Sequence, residues 1–460
     1  MDYADEQHGG VAEEMPPKIK AEENPWYLLA TLYGVPEQSD RELREKNRIA
    51  WNRYFGANFN EATRARLIEE KRHPQNELNP FQRHELEEIK EAYLKRCASS
   101  PKHYPLPLSN AVIDFSNVQF DQDVSFDEYL FPDPGVFSFD CTFQDAIFTG
   151  RASFMETTFL SSAEFRGAIF YGDANFLGAT FSGTADFSGV SFLLGTTFSY
   201  VTFSRGAFFA GATFSSGAAF PRAAFYGAAN FNGAAFADFA NFIGATFYGG
   251  AAFTDAMFEE SASFDNTKME FMTSFAGTTF GAVPPTFFGA ELHQNTVWRG
   301  VKWPLIPRNK GEAGRYIDAY ACLKLEMDRL KKHEDELDFF AFELQSRRVL
   351  LGRWGWGLPI WLYGLLCDYG RSYLRPLVAL FVVSVIGALA FWFFDARTYG
   401  EALGLSVANA LNVFGFRRDF GLTIDTPLSW LELMSAIQTI LGTILVFLFG
   451  LGIRNKFRMK

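Results

Sequence analysis

Between residues 143 and 264, phenylalanine recurs at a step that alternates five and six residues without exception. Met269, Phe275 and Phe280 continue the series, and Phe115, Phe120, Phe126, Phe131 and Phe137 form an irregular prelude. On an α-helix such steps set successive side chains about 140° apart, so no common stripe forms. In a flat strand an odd step sends the side chain to the opposite face. A chain that buries every one of these rings must turn a corner between them, each ring entering one core from a new side. That geometry is a β-solenoid, in which each coil needs its neighbours. Two residues before each phenylalanine lies a small residue such as Ala146, Ala174 or Ala185, which suits a cramped inward position. Two residues after, glycine is frequent (Gly167, Gly172, Gly178, Gly183, Gly189), where a turn is expected to need unusual dihedrals.

The flanks read differently. Residues 1–24 are acidic and predict a disordered tail, and residues 25–108 predict a helical N-terminal region that caps the solenoid. Ser39 with Glu42 is a candidate capping box, and Asn79–Pro80 a candidate start for the next helix. The solenoid is expected over 109–290, then a linker and one long charged helix within 291–353, and an interfacial aromatic segment over 354–375. Residues 376–460 predict a transmembrane hairpin whose uncharged spans, 377–394 and 433–453, can each cross a hydrocarbon core of ~30 Å. Arg347, Arg348, Arg353, Arg371 and Arg375 precede the first span, and Arg454, Lys456, Arg458 and Lys460 follow the second. The connecting loop has Arg397, Arg417 and Arg418, so the positive-inside rule puts both termini in the cytoplasm.

Within the repeat, "ANF" at 174–176, 229–231 and 240–242 and "ADF" at 185–187 resemble the unit of the pentapeptide-repeat family, A-(D/N)-(L/F)-x-x. The resemblance implies a right-handed quadrilateral β-helix with four repeats per coil. Here every second repeat has an extra residue, giving 22 residues per coil, some seven coils and a rod ~35 Å long at the inter-strand spacing of ~4.8 Å. The structural ladder is then Phe176, Phe181 and Phe187 around one coil, with Phe198, Phe220, Phe242 and Phe264 stacked in the column of Phe176. The whole arrangement also resembles membrane-bound pentapeptide-repeat proteins of bacteria, which implies an inner-membrane location but no settled activity.

Composition and charge narrow the function. A net charge of −11 gives no general reason to expect nucleic-acid binding, and residues 141–283 carry 11 acidic against 5 basic side chains, too sparse to imitate duplex phosphate spacing. The four cysteines match no metal spacing and read as reduced thiols. No catalytic, cofactor-binding or metal motif is expected; His333 and Glu336 share a helix face but two ligands make no site. Between the spans, "EALGLSVANALNVFGFRRDF" (401–420) looks like the pore helix and filter of two-helix potassium channels, with Phe414, Gly415 and Phe416 in the filter's place. Arg417 stands where that family has its second glycine, which implies lost potassium conduction. Ser435, Gln438, Thr439 and Thr443 form a polar stripe on the second span that helix packing explains. The expected function is therefore a non-enzymatic scaffold or interaction module, touching membrane lipids and an unidentified protein partner. The alternative is an oligomeric ion channel or membrane sensor, and homo-oligomerisation stays open.

Overall fold

The computed structural model describes residues 18–37, 39–70, 72–98, 100, 102–133, 141–304, 306–307, 309–352, 355–394, 398–411 and 430–458. The chain divides into two units, Met1–Pro304 and Leu305–Lys460.

The first unit is a four-sided parallel β-solenoid preceded by helices. Two-residue strands, one on each side of every coil, build four parallel sheets of nine, eight, seven and seven strands. Ala163 pairs with Ala185 and Thr180 with Thr202, a register of 22 residues. The logic of one side is visible at Ala174–Asn175–Phe176. Ala174 and Phe176 are fully buried, while Asn175 points outward and its Oδ1 accepts the Leu177 N–H (3.0 Å). Ala179 N–H then closes the corner on Phe176 O (3.1 Å) with Gly178 at φ +67°. Asp186, Asn230 and Asn241 serve the same way for Ser188, Asn232 and Ile243 N–H. An Asx turn is thus what the D/N of the repeat supplies.

Glycine has two roles, not one. Gly167, Gly178 and Gly189 occupy the left-handed corner, which recurs every 11 residues and is held elsewhere by non-glycine residues such as Asp145, Glu156, Tyr200, Arg222 and Asp255. Gly172 and Gly183 do not have positive φ; a Cβ there would overlap the backbone of Gly150 and Ser161 in the preceding coil. Close approach, rather than unusual dihedrals, selects glycine at those two corners.

The core is a ladder of rings. Phe176, Phe198, Phe220, Phe242 and Phe264 stack in one column with centroids 4.7, 4.9, 4.9 and 5.0 Å apart. Phe181 stacks on Phe203 (5.2 Å) and Phe187 on Phe209 (5.0 Å) in neighbouring columns. Columns meet edge to face, as at Phe176–Phe187 (5.4 Å, 86°), so each ring presents its positive edge to a negative face.

The ladder runs beyond residue 290. Phe264 stacks on Phe287, Phe275 on Trp298 (4.7 Å) and Phe280 on Trp303 (5.4 Å), and bridges pair Ser274 with Val297 and Thr279 with Lys302. This last coil has 23 residues because the Pro284–Pro285 segment adds one, which breaks the five-six count, and tryptophan replaces phenylalanine.

At the N-terminal end, Ile19–Lys20 is a strand, β1, inside the expected tail. The first coil contains β2 (Ile113–Asp114), β3 (Val118–Phe120), β4 (Val124–Ser125) and β5 (Leu130–Phe131). Helices α1 (Pro25–Ala30), α2 (Arg41–Gly56), α3 (Glu61–Glu69) and α4 (Gln75–Leu78) pack on it, and α5 (Arg83–Cys97) packs on α1 and α2. Asp40, not Ser39, caps α2 by accepting the Leu43 N–H (2.9 Å). Helix α5 begins after Pro80, at a Gln82–Glu85 capping box. Trp51 lies against Phe131 (5.5 Å) and Tyr27 against Phe120 (5.6 Å), continuing the aromatic core into the helices.

In the second unit the expected single charged helix is two, α6 (Lys310–Arg329) and α7 (His333–Leu351). They reverse through Lys331 at φ +60° and are tied by Lys324 Nζ to Glu343 (2.6 Å). No glycine or proline marks this turn, so it leaves no sequence signal. After α8 (Gly357–Cys367) come α9 (Leu374–Phe394), α10 (Tyr399–Ala410) and α11 (Trp430–Arg458). Helices α9 and α11 are long and apolar enough to cross a membrane. Helix α10 opens on a Thr398–Glu401 capping box and packs against both. A Cβ on Gly387 would meet Gln438 and Ser406, and one on Gly442 the backbone of Ala410, so small residues set this three-helix approach.

Candidate functional surfaces

The structure places all seven ladder residues, Phe176, Phe181, Phe187, Phe198, Phe220, Phe242 and Phe264, in the buried core, where none can touch a ligand. The candidate pore-loop residues Phe414, Gly415, Phe416 and Arg417 lie outside the described residues. Function on the described part must therefore sit on the outer faces, the ends, or the second unit.

On the outer faces, single aromatics stand at the corners. Tyr226 and Tyr248 stack on successive coils (4.6 Å), and Phe271 is 58% exposed beside His293. Nearer the N-terminus one face is covered by the α3–α4 connection. Arg72 donates to the Thr180 hydroxyl, His73 Nε2 contacts Thr158 Oγ1 (3.2 Å), and Leu67 and Leu78 cover Leu160. Burial pushes the His73 imidazole down to about 4, aided by the Arg48 and Arg72 charges, so it is neutral at physiological pH.

The N-terminal ends of three sheets are closed by other parts of the chain. β1 pairs along β3. Asn24 Nδ2 donates to Asp114 O on β2 (2.8 Å). On β5, Leu130 N–H donates to Asn52 Oδ1 and Trp51 Nε1–H donates to Leu130 O, both at 2.8 Å. Over β4, by contrast, opens a cavity of about 410 Å³ roofed by Val35, Pro36 and Arg44 and floored by Asp123, Asp127 and Asp173. No sequence pattern marks it, because its parts come from three successive coils, helices α1 and α2 and the loop near residue 35.

In the second unit, Asp328 joins His333 and Glu336, their ligand atoms all within 4.8 Å of one another. The Arg458 guanidinium lies 3.6 Å from Asp328 and 3.9 Å from Glu336 and already supplies a cation there. Between α9, α10 and α11, Ser406 Oγ donates to Ser384 O (2.6 Å) and Gln438 Nε2 donates to Ser406 Oγ (2.5 Å). The polar stripe of the second span thus divides. Ser435 and Gln438 are buried, whereas Thr439 and Thr443 donate to their own helix backbone.

Four two-residue strands per coil, stacked in parallel around a ring-filled core, define a quadrilateral β-solenoid, a fold of the protein-interaction type. Its repeats are pentapeptide repeats: residues 143–191 and 220–268 match the family model described as pentapeptide repeats, in 9 copies. Neither the curated proteins nor the solved structures include a match to this chain.

Proposed function

We propose that the chain is a non-enzymatic, membrane-anchored scaffold that presents the solenoid to the cytoplasm as a protein-interaction module. In this reading α9 and α11 hold it in a bacterial inner membrane, with both termini cytoplasmic. The observation that carries the reading is a division of labour. The ladder uses the repeated aromatics for its core and leaves its outer positions to other side chains, while α9 and α11 turn large apolar side chains such as Phe381 and Ile440 outward. Such faces suit lipid, and a rigid solenoid suits an extended contact with a partner. Carbonate extraction tests the anchor: the full chain stays in the membrane pellet and a chain ending after Gly370 leaves it. A truncated chain that remains in the pellet sinks this part of the proposal. Photo-cross-linking from the outer faces of the solenoid tests the partner, and discrete protein adducts are expected.

A second reading is an oligomeric channel or sensor, favoured by the short α10 packed between two apolar helices. It requires conductance in proteoliposomes that changes at Phe414, Gly415 or Arg417 exchanges shrink or abolish. A purified monomer without conductance eliminates it.

A further inference from the structure

The β4 edge is built to accept a strand. In this sheet each coil donates to the next: Val124 N–H to Arg151 O (2.8 Å) and Phe126 N–H to Ser153 O (2.7 Å), then Ala152 N–H to Asp173 O and Phe154 N–H to Asn175 O. By the same register, the carbonyls of Asp123 and Ser125 are the acceptors a preceding coil would fill. Among the described residues no coil precedes this one, and nothing donates to either carbonyl. The other three edges of this end are closed, one of them by a strand of this chain, β1. Open strand edges pair readily with extended polypeptide, and main-chain hydrogen bonds then supply the affinity.

The cavity over β4 states the chemistry of the occupant. Its three carboxylates face two guanidiniums that are already engaged, Arg151 with Asp173 (3.4 Å) and Arg44 with Glu37 O (3.3 Å). Asp123 Oδ1 accepts the Arg151 N–H (2.8 Å) and Asp127 Oδ1 the Met155 N–H (2.9 Å). Among the described residues no donor reaches the second oxygen of either carboxylate. Two carbonyls and two carboxylate oxygens call for a donor-rich, cationic guest. Residues 1–17 of this chain carry five carboxylates and no Lys or Arg, so its own tail is the wrong charge.

We infer that the β4 edge binds an extended basic segment of a partner protein as an added strand, one Lys or Arg side chain reaching Asp123 and Asp127. The inference rests on the scaffold reading and names its partner class. The test is fluorescence anisotropy with the full chain in detergent and a short acetylated, fluorescein-labelled peptide that alternates valine with lysine and arginine. Saturable binding is expected, weakened about tenfold by Asp123→Asn or Asp127→Asn, the equivalent of one charge-assisted hydrogen bond. Both exchanges keep an Oδ1 acceptor for the Arg151 and Met155 N–H groups. Val35→Trp, on the opposite wall, fills the cavity without touching the edge and is expected to abolish binding. N-methylation of alternate peptide amides, or glutamate in place of the basic residues, is expected to abolish it too. Equal binding by parent and N-methylated peptides overturns the inference, as does no binding at all or affinity unchanged by Val35→Trp. If these fail while the solenoid still cross-links a protein in membranes, the edge is wrong and the scaffold reading stands. If no protein cross-links anywhere on the solenoid, the scaffold reading falls irrespective of the peptide.

Discussion

Phe198→Ala is the sharpest probe of the ladder. Phe198 is fully buried, stacked on Phe176 (4.7 Å) and Phe220 (4.9 Å) and edge to face with Phe187 and Phe209 (both 5.3 Å). Truncating a buried phenylalanine costs about 3–5 kcal/mol in transfer and cavity terms. The four ring contacts add about 0.5–1.5 kcal/mol each where they exceed simple area burial, so the upper part of that range is expected. The site cannot collapse to relieve the void, because backbone hydrogen bonds hold the coils above and below at fixed spacing. Phe198→Leu, which keeps most of the volume, is expected to cost about 1–2 kcal/mol. Urea denaturation of the full chain in detergent, followed by far-UV circular dichroism, reads both. Tyr226→Ala, at an exposed stacked pair, serves as the control and is expected to cost under about 1 kcal/mol. If Phe198→Ala costs no more than Tyr226→Ala, the rings do not form the core.

The helices at the N-terminal end give a second prediction. Asn52→Leu leaves the buried Leu130 N–H without its acceptor and is expected to cost about 1–3 kcal/mol by the same denaturation. Deleting residues 25–100 is expected to make the solenoid polydisperse in size-exclusion chromatography; unchanged melting and monodispersity would refute a capping role. His73 predicts an acid limb. Its folded value of about 4 lies below the unfolded 6.5, so its contribution is complete above pH 6.5 and is lost as pH falls toward 4. At 1.36 kcal/mol per unit the total is about 3 kcal/mol, and His73→Gln is expected to flatten the stability difference between pH 7.5 and 4.5 by that order. An unaltered pH profile in that variant would show that another group dominates. At the corners, Gly178→Ala is expected to cost about 1 kcal/mol for its left-handed backbone, whereas Tyr200→Gly relieves the same strain and is expected to raise the urea midpoint.

Much of the fold was legible because one rule repeats. A single inward ring per corner, at five and six residues, suffices to specify a β-solenoid with a ring-filled core, and the resemblance of its A-(D/N)-F units to pentapeptide repeats supplies the four sides and the 22-residue coil. The two apolar helices were legible from length and charge alone. What escaped is what depends on non-repeating contacts. The last coil hides behind one inserted residue and a change from phenylalanine to tryptophan at 298 and 303. The reversal between α6 and α7 rests on Lys331 in a left-handed conformation that its residue type does not advertise. The cavity over β4 is invisible for a different reason. It is defined by which edges other segments cover, and the covering atoms of Asn24, Trp51 and Asn52 are distant in sequence from the strands they meet. The Asp328, His333 and Glu336 group likewise needed the α6–α7 turn and Arg458 before its charges could be balanced.

In the proposed role the solenoid holds a protein partner while α9 and α11 anchor it. Photo-cross-linking of the full chain in native membranes, with benzoylphenylalanine in place of Ser153 on the cavity floor and separately in place of Tyr226, tests it most directly. A discrete protein adduct at Ser153, competed away by the basic peptide, is the expected result. Lipid adducts alone, or no adduct at either position, would show that the solenoid holds no protein partner.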